Sequence, residues 1–478
     1  MSVTKNFFYS SIITVSGYLF PLLTYPYISR VLGVNNIGIC NFVDSIINYF
    51  SYISMMGVAT VGVRAVAAAK NGESELNKTF SAIFVINAFL TLLALVILIA
   101  CMLFVPSLQP YKKLLLVGVI KLVGLFVMID WFYKGIEDFK YITQRTLVVK
   151  TLYVIAVFLF IKKADDYPLY YLLSCLMVGV NAVINFVHAR RYVKIRTTCL
   201  EIKNHIKPIL VIGFYMIINT MYTTFNVVFL GFAAGTTQVG YYTTSHKLYI
   251  ILFSFFSAFS GVMLPRLSSI ISEGDIDKFK SMIGKAVDAL LLFTIPIVLV
   301  AFVFNIDIID LFSGKGYEGA YLPTKIMMPL IFIIGYEQIL VLQILMPLKK
   351  DNLIIRNSVV GAIIGIVLNI ILVPTLGAVG SSIVWLCAEI CVLSVAQYSV
   401  WNLLKISFPI KKIVVVLIAY LPAVICCVAM KNLDIYPIVR LIGAGLFVGL
   451  YTVLIQTFIV KNPMYFELLK KAKLYRGK

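Results

Sequence analysis

The feature that most constrains this chain of 478 residues is a series of apolar runs about 20 residues long, separated by short polar segments. A run of that length suits an α-helix that crosses the roughly 30 Å hydrocarbon core of a bilayer, whereas the strands of outer-membrane barrels need only about 10 alternating residues. Apolar residues make up 61% of the chain and charged residues 13%. A soluble globule of this composition could not cover itself with a polar surface, so the sequence predicts an all-α polytopic membrane protein.

We predict about 14 transmembrane helices. The fifth is short and can begin earlier, near Arg145, and the break between the eleventh and twelfth is a tight turn at Gly377. The predicted spans lie near residues 8–29, 39–63, 81–105, 114–133, 147–161, 169–189, 209–234, 248–265, 282–304, 326–348, 358–376, 380–402, 413–430 and 438–460.

The basic residues predict the orientation of these spans. The chain has a net charge of +20, and 28 of its 41 lysines and arginines fall in one set of alternate connecting segments, against 9 in the other. Cytoplasmic loops collect lysine and arginine and face anionic lipid, so we predict that both termini are cytoplasmic. The net positive charge is therefore explained by basic loops that face anionic lipid. It does not require a nucleic acid, and we predict no nucleic-acid partner.

An internal repeat relates two parts of the chain at an offset of 202 residues. The segment from Gly33 to Gly38 matches that from Gly235 to Gly240, and further agreements follow in the next loop. These are Arg64 with Arg266, Gly72 with Gly274, Glu73 with Asp275, Glu75 with Asp277 and Lys78 with Lys280. A repeat of six spans gives two lobes of the same orientation, with a cavity between them in transporters of this design. We predict an N-lobe at 1–205, a C-lobe at 206–405, and two further helices with a basic cytoplasmic tail at 406–478.

Polar side chains follow one face of several repeat-matched spans, at intervals of three or four residues. Asparagine and serine also join neighbouring helices by hydrogen bonds, and that reading stays open for any single stripe. Because the stripes recur in both lobes, we predict a shared wet cavity whose amides and tyrosine rings suit a sugar-rich ligand. The predicted cavity residues are Thr14, Tyr18, Tyr25, Asn41, Asp44, Asn48, Tyr215, Asn219, Tyr222 and Asn226.

Ionisable residues within spans are costly and each suggests a site. Glu337 and Glu389 fall in the middle of spans with no obvious partner on their own helix, and we predict that they hold a proton or a cation. Arg30 and Arg64 cap the first two spans, where they could bind a phosphate through forked hydrogen bonds or simply anchor the helices at the interface.

The other ionisable residues of the spans have less specific roles. Lys285 and Asp288 are expected to form a local ion pair, Lys121 is on the wrong face to reach Asp130, and Lys150 and Arg440 can extend to the interface. The three histidines never cluster, so no metal site and no cofactor are predicted.

Several motifs resemble those of bacterial polysaccharide flippases. The segment PLLTYPYISRVLG (21–33), followed by Gly38, Gly62 and Arg64, is similar to the first two helices of that family. The segment DWFYKGIEDFKYITQR (130–145) resembles the motif after the fourth helix, although Asp130 replaces the usual Glu; its mixed composition suggests a piece lying along the membrane surface. Weaker marks, at 264–268, 311–317 and 374–380, are similar to the C-lobe of the wider multidrug/oligosaccharidyl-lipid/polysaccharide exporter superfamily.

The resemblance implies a two-lobed helical transporter of the bacterial inner membrane, not an enzyme. Its expected activity is to move undecaprenyl-pyrophosphate-linked oligosaccharide from the cytoplasmic to the periplasmic leaflet by alternating access, for surface polysaccharide such as O-antigen. Its partners would be that substrate, membrane lipids, a polysaccharide polymerase and a chain-length regulator, and the chain is expected to be monomeric. A lipid II flippase and a cation-coupled multidrug exporter are the alternatives on the same fold. More distant alternatives are a lipid scramblase and a membrane glycan polymerase or ligase.

Overall fold

The computed structural model describes residues 3–196, 201–460, 462 and 465; the side chains of some residues within helices, among them 215 and 218–223, lie outside this description. The described residues form helices and contain no β-strand. The helices are α1 (Val3–Met55), α2 (Val58–Ala69), α3 (Glu73–Phe104), α4 (Lys112–Met128), α5 (Asp130–Gly135), α6 (Phe139–Phe160), α7 (Tyr167–Ala189), α8 (Ile202–Ala234), α9 (Thr236–Ser272), α10 (Ile276–Val303), α11 (Asn305–Ser313), α12 (Tyr321–Met327), α13 (Leu330–Gln338), α14 (Asp351–Leu404), α15 (Ile410–Lys431) and α16 (Pro437–Phe458).

Two of the long helices are pairs of spans joined at a glycine. The backbone of α1 leaves the helical conformation at Gly33 (φ 75°, ψ 166°), and that of α14 does so at Gly377 (φ 54°, ψ −128°). Only glycine adopts such angles without strain, so each glycine lets one span end and the next begin without a loop. The tight turn predicted at Gly377 is therefore confirmed.

Ten helical stretches of the described residues are long and apolar enough to cross a membrane, and the stretches at Phe8–Ala69 and Asp351–Leu404 contain the two broken helices. The helices α8 and α9 cover the seventh and eighth predicted spans. These findings confirm an all-helical multi-pass membrane protein, while the number 14 stays a prediction. The fifth span begins at Phe139, earlier than the predicted 147, which gives it the length that a bilayer requires.

The lipid-facing surface is visible on single helices. On α3, Phe89, Leu92, Val96 and Ile99 are exposed at intervals of three or four residues, although all four are apolar. The opposite face of α3 is buried in the protein. In water such a stripe would be unfavourable, but against hydrocarbon it is the expected surface of a transmembrane helix.

One pair of repeat-matched glycines has the same backbone conformation. Gly235 has φ 88° and ψ 169°, close to the angles of its counterpart Gly33. Both glycines end one span and start the next. The correspondence does not extend to the following loops, because Gly274 has a positive φ of 78° whereas Gly72 has φ −125°.

The chain divides into two compact units, residues 1–240 and 241–478. In the first unit, Trp131, Phe132 and Tyr133 of α5 are fully buried, and α5 packs against α2. A Cβ atom at Gly62 of α2 would lie 2.7 Å from the Trp131 ring, so the glycine is what allows this approach. The expectation that this segment lies along the membrane surface is wrong at Trp131–Tyr133, because these aromatic side chains enter the protein core. The lobe boundaries at 205 and 405 stay a prediction.

In the second unit, α10 packs against α13, α15 and α16. Two ion pairs attach the C-terminal helices: Lys412 bonds Asp288 at 2.6 Å, and Arg440 bonds Asp307 at 3.0 Å. Asp288 therefore pairs across to α15, and its predicted ion pair with Lys285 stays a prediction. Arg440 likewise has a buried carboxylate partner and does not simply extend to the interface. Most of the predicted tail after residue 460 lies outside the described residues.

Candidate functional site

The first polar cluster lies in the first unit, between α1 and α4. The Lys121 Nζ donates to Asp44 Oδ1 at 2.7 Å and to Asn48 Oδ1 at 2.9 Å, and Asn48 Nδ2 is 3.4 Å from Asp44 Oδ2. Asp44 and Asn48 are one helical turn apart on the second half of α1, so both can reach one ammonium group on α4. The Lys121 side chain is 17% exposed and that of Asp44 is 34% exposed. This is an ion pair within a membrane span, and part of it is exposed at the surface of the first unit.

Asp44 and Asn48 were predicted cavity residues, but Lys121 was not. The sequence showed only that Lys121 could not pair with Asp130, and the structure supplies its partner from a different helix. Asp130 instead accepts hydrogen bonds from Asn185 at 2.9 Å and from Arg145 at 3.4 Å. Neither Asp44 nor Lys121 has a residue of opposite charge nearby on its own span. This could have suggested from the sequence that the two residues pair with each other.

Tyr171 of α7 lies beside this cluster. Its side chain is buried, and a Cβ atom on Gly118 would come within 3.0 Å of its hydroxyl oxygen. Among the described residues, the Cys175 thiol one turn along α7 is within reach of that hydroxyl. Tyr171 was not predicted as a site residue, and it brings a polar group from a third helix close to α4.

A second lysine of the first unit lies nearer the start of α1. Lys150 Nζ donates to the Ser16 hydroxyl at 2.9 Å and lies 5.8 Å from the centre of the Phe20 ring. Because α6 begins at Phe139, Lys150 falls in the middle of its helix and not near an end, which corrects the expectation that it reaches the interface. Within the described part of the chain, no carboxylate pairs with Lys150.

The predicted cavity residues have different surroundings. Thr14 is exposed and bonds the Ser10 carbonyl of its own helix at 3.1 Å, whereas Tyr25 and Asn226 are buried. Tyr18 and Asn41 are half-buried. The side chains of Tyr215, Asn219 and Tyr222 lie outside the described residues. The structure therefore joins Asp44 and Asn48 in one cluster, and the role of the others as cavity residues stays a prediction.

The two candidate phosphate-binding arginines are both exposed. Arg30, near the end of the first half of α1, donates to the Pro26 carbonyl of its own helix. Arg64 is on α2. The hydrogen bonds of the described residues do not join the two arginines, so a phosphate-binding role for either stays a prediction.

The second polar cluster lies in the second unit. The carboxyl groups of Glu337 and Glu389 are within hydrogen-bonding reach of each other. The Trp385 indole Nε1 also donates to Glu389 Oε1 at 3.0 Å, and Glu389 is 2% exposed. Trp385 and Glu389 are one turn apart on the second half of α14, while Glu337 is near the end of α13, just before a π-helical segment at Ile339–Leu345. Such segments are frequent at functional sites.

Aromatic side chains of α9 surround this cluster. The Trp385 ring centre is 5.0 Å from that of His246 and 4.8 Å from that of Tyr249. The sequence predicted Glu337 and Glu389 separately and gave no role to His246, which lies within α9. Two carboxyl groups that are this close cannot both be ionised at low cost, so the pair can hold a proton between them.

Clusters of ionisable and polar groups within membrane spans, on a fold of long broken helices, define a membrane transporter. The fold matches that of the lipid II flippase MurJ in an inward closed conformation, with a TM-score of 0.78, 17% identity, and 95% of this chain and 98% of that chain covered. It also matches an inward-facing multidrug resistance MATE transporter of the MOP superfamily, with a TM-score of 0.58, 14% identity, and 82% and 100% coverage.

A family model described as polysaccharide biosynthesis protein matches residues 3–271, and the chain belongs to that family. A protein of Escherichia coli (strain K12) whose name describes an O-antigen transporter is 23% identical over 409 residues, which cover 84% of this chain and 97% of that relative. The family resemblance drawn from the motifs at 21–33 and 130–145 is thus confirmed.

Proposed function

We propose that this chain is a flippase that moves an undecaprenyl-pyrophosphate-linked oligosaccharide from the cytoplasmic to the periplasmic leaflet by alternating access. The observation that carries the proposal is the cluster of Lys121, Asp44 and Asn48 within the segment that matches the family. The match to an O-antigen transporter over 97% of its length supports the same substrate class. The likeness to MurJ favours lipid II as the second candidate substrate, although at 17% identity it shows the fold alone.

The proposed role of the first unit is to receive the headgroup. A pyrophosphate carries negative charge that the hydrocarbon core excludes, so its passage requires cations and water along the path. Lys150 has no carboxylate partner among the described residues, and Lys121 can exchange Asp44 for a phosphate oxygen. The amides of Asn41, Asn48 and Asn226 would serve the sugar hydroxyls, and Arg30 and Arg64 would serve the pyrophosphate at the two ends of its path.

We infer that the chain acts in the bacterial cytoplasmic membrane with both termini on the cytoplasmic side, and that it performs no covalent chemistry. The described connections between spans are short, and residues 305–325, between the ninth and tenth predicted spans, form α11, the start of α12 and the turn between them. A polysaccharide polymerase and a chain-length regulator are its proposed partners, because the flipped repeat unit is their substrate, and we propose that the flippase is a monomer.

The proposed activity can be measured in proteoliposomes that contain a fluorescent undecaprenyl-pyrophosphate oligosaccharide. With the protein present, we expect the fraction of label protected from an external quencher to change with time, while protein-free vesicles stay unchanged. Parallel vesicles with labelled lipid II and with a cationic dye test the two alternatives. If the oligosaccharide stays in its original leaflet under every ion gradient while either alternative substrate moves, the proposed substrate is wrong.

We further propose that a proton shared by Glu337 and Glu389 couples transport to the pH gradient. Glu389→Gln keeps the size of the side chain and its bond to Trp385 but removes the acidic group. We expect transport driven by a pH gradient to fall at least about 10-fold, with downhill exchange retained. The exposed Asp434→Asn is the matched control and should leave both rates unchanged. Equal dependence on the pH gradient in Glu389→Gln and in the unmodified protein would exclude this pair as the coupling site.

A further inference from the structure

The second unit contains a basic recess that the proposed transport does not use. The recess has a volume of about 530 Å³ and lies between α10, the π-helical segment and the connection from α14 to α15. Lys280 of α10 and Lys411 and Lys412 of α15 line it, together with apolar side chains such as Ile283 and Phe408. The volume is within the range of sites for small ligands.

The charge of the recess is only partly compensated. Lys412 pairs with Asp288 at 2.6 Å, but no carboxylate of the described residues pairs with Lys280 or Lys411. Two lysines of unmatched charge beside one cavity attract an anion. The chain after residue 465 is a poor occupant, because it carries Lys470, Lys471, Lys473, Arg476 and Lys478 against one glutamate.

An apolar groove adjoins the recess. Its volume is about 560 Å³, and its walls include Ile390, Leu393, Tyr398 and Trp401 of α14. Ser407 and Phe408 line both spaces. The wall between them also contains the hydrogen bond from the Tyr336 hydroxyl to Gln397 Oε1 at 2.9 Å, since Tyr336 lines the recess and Gln397 the groove. A basic recess and an apolar groove therefore lie side by side, with Ser407 and Phe408 in the lining of both.

The position of both spaces suits the membrane interface. Lys280 and Lys411 come from the segments 266–281 and 403–412, which the charge bias assigns to the cytoplasmic side. Trp401 and Tyr398 are exposed, and Lys405 lies 4.6 Å from the centre of the Trp401 ring. Tryptophan, tyrosine and lysine at a helix end are typical of the headgroup level of a bilayer.

We propose that this place is a binding site for an anionic glycerophospholipid. The phosphate lies between Lys280 and Lys411, and one acyl chain follows the groove along Leu393 and Trp401. A free phosphate would leave the groove empty, and a zwitterionic lipid would bring an ammonium group to the lysines. Because the site holds a lipid of the membrane itself, the proposal does not depend on which substrate is flipped.

Binding of phosphatidylglycerol to the full-length protein in detergent, measured by native mass spectrometry, tests this site. The double variant Lys280→Gln/Lys411→Gln should bind about 30-fold more weakly, which corresponds to about 2 kcal/mol for two lysines near an anionic headgroup. The matched control is Lys349→Gln/Lys350→Gln, which removes two exposed lysines of the same unit that do not line the recess, and its affinity should equal that of the unmodified protein.

A second variant fills the recess without changing its charge. A Cβ atom at Gly284 has no heavy atom within 4 Å, so Gly284→Leu can fold while its side chain occupies the cavity, and it should also weaken binding. If the two double lysine variants weakened phosphatidylglycerol binding equally, the effect would be due to general surface charge and the proposal would be overturned. It would also be overturned if glycerol 3-phosphate bound as tightly as phosphatidylglycerol, or if undecaprenyl phosphate displaced phosphatidylglycerol at a lower concentration.

Discussion

Replacing Lys121 by methionine is expected to destabilise the protein by about 2 kcal/mol and to abolish transport of the lipid-linked oligosaccharide. The variant leaves the Asp44 carboxyl group without its lysine partner inside a membrane span. Breaking a fully buried ion pair typically costs about 3–5 kcal/mol, and we expect less because a third of the Asp44 side chain is exposed. Thermal unfolding in detergent measures the first effect, and the proteoliposome assay measures the second.

The double variant Asp44→Asn/Lys121→Met separates the two effects. It removes both charges, so the stability lost in Lys121→Met should largely return, whereas transport should stay absent if Lys121 receives the pyrophosphate. Lys140→Met is the matched control, because Lys140 is an exposed lysine of the same unit with no carboxylate partner among the described residues. Normal transport in Lys121→Met would refute the assigned role of this lysine.

Replacing Gly38 by alanine is expected to cost about 3 kcal/mol in stability and to disfavour the conformation described here. A Cβ atom at Gly38 would lie 1.8 Å from the Thr236 carbonyl oxygen and 3.0 Å from the Gly240 nitrogen. Both are backbone atoms, which cannot rotate away, so the cost is expected at the upper end for overpacking. The hydrogen bonds from Thr236 and Thr237 to the Asn35 side chain, at 2.7 and 3.1 Å, lie at the same contact.

The contact around Gly38 joins the two repeat-matched turns. Gly240 is the counterpart of Gly38, and a Cβ atom there would lie 2.3 Å from the Val34 carbonyl oxygen. Gly240→Ala should therefore lower the unfolding temperature as much as Gly38→Ala. Gly445→Ala is the control, because a Cβ atom at that helical position of α16 meets no heavy atom within 4 Å, and alanine should be neutral or slightly stabilising there. The same unfolding temperature in all three variants would show that the turns separate without cost.

Local patterns were enough to predict much of the fold. The length of the apolar runs predicted the membrane helices, and the matched glycines at 33 and 235, noted only as part of a repeat, share one backbone conformation in the structure. The sequence did not predict correctly which side chains of the segment 130–145 face the lipid and which face the protein. The segment that contains Trp131 has the composition of an interfacial segment. The Trp131 side chain is nevertheless buried, because Gly62 on another helix leaves room for its ring.

The residues of the two polar clusters were also predicted only in part, because local patterns do not show which helices pack together. Asp44, Asn48, Glu337 and Glu389 could be identified because a polar group in an apolar span is unfavourable wherever it points. Their partners could not, since Lys121 is 77 positions from Asp44 and Glu337 is on a different helix from Glu389. A helix sequence shows which side chains share a face but not which helix that face meets.

The sequence by itself thus determined that the chain is a bundle of membrane helices, and it predicted that a unit of six spans occurs twice, because hydrophobic length and glycine turns are local properties of the chain. Only the tertiary structure decided that Lys121 neutralises Asp44, that Glu337 and Glu389 lie together, and that Lys280 and Lys411 share one recess. Each of these arrangements depends on how helices distant in sequence pack, and the energy of a charge in a membrane is set by the groups that packing brings beside it.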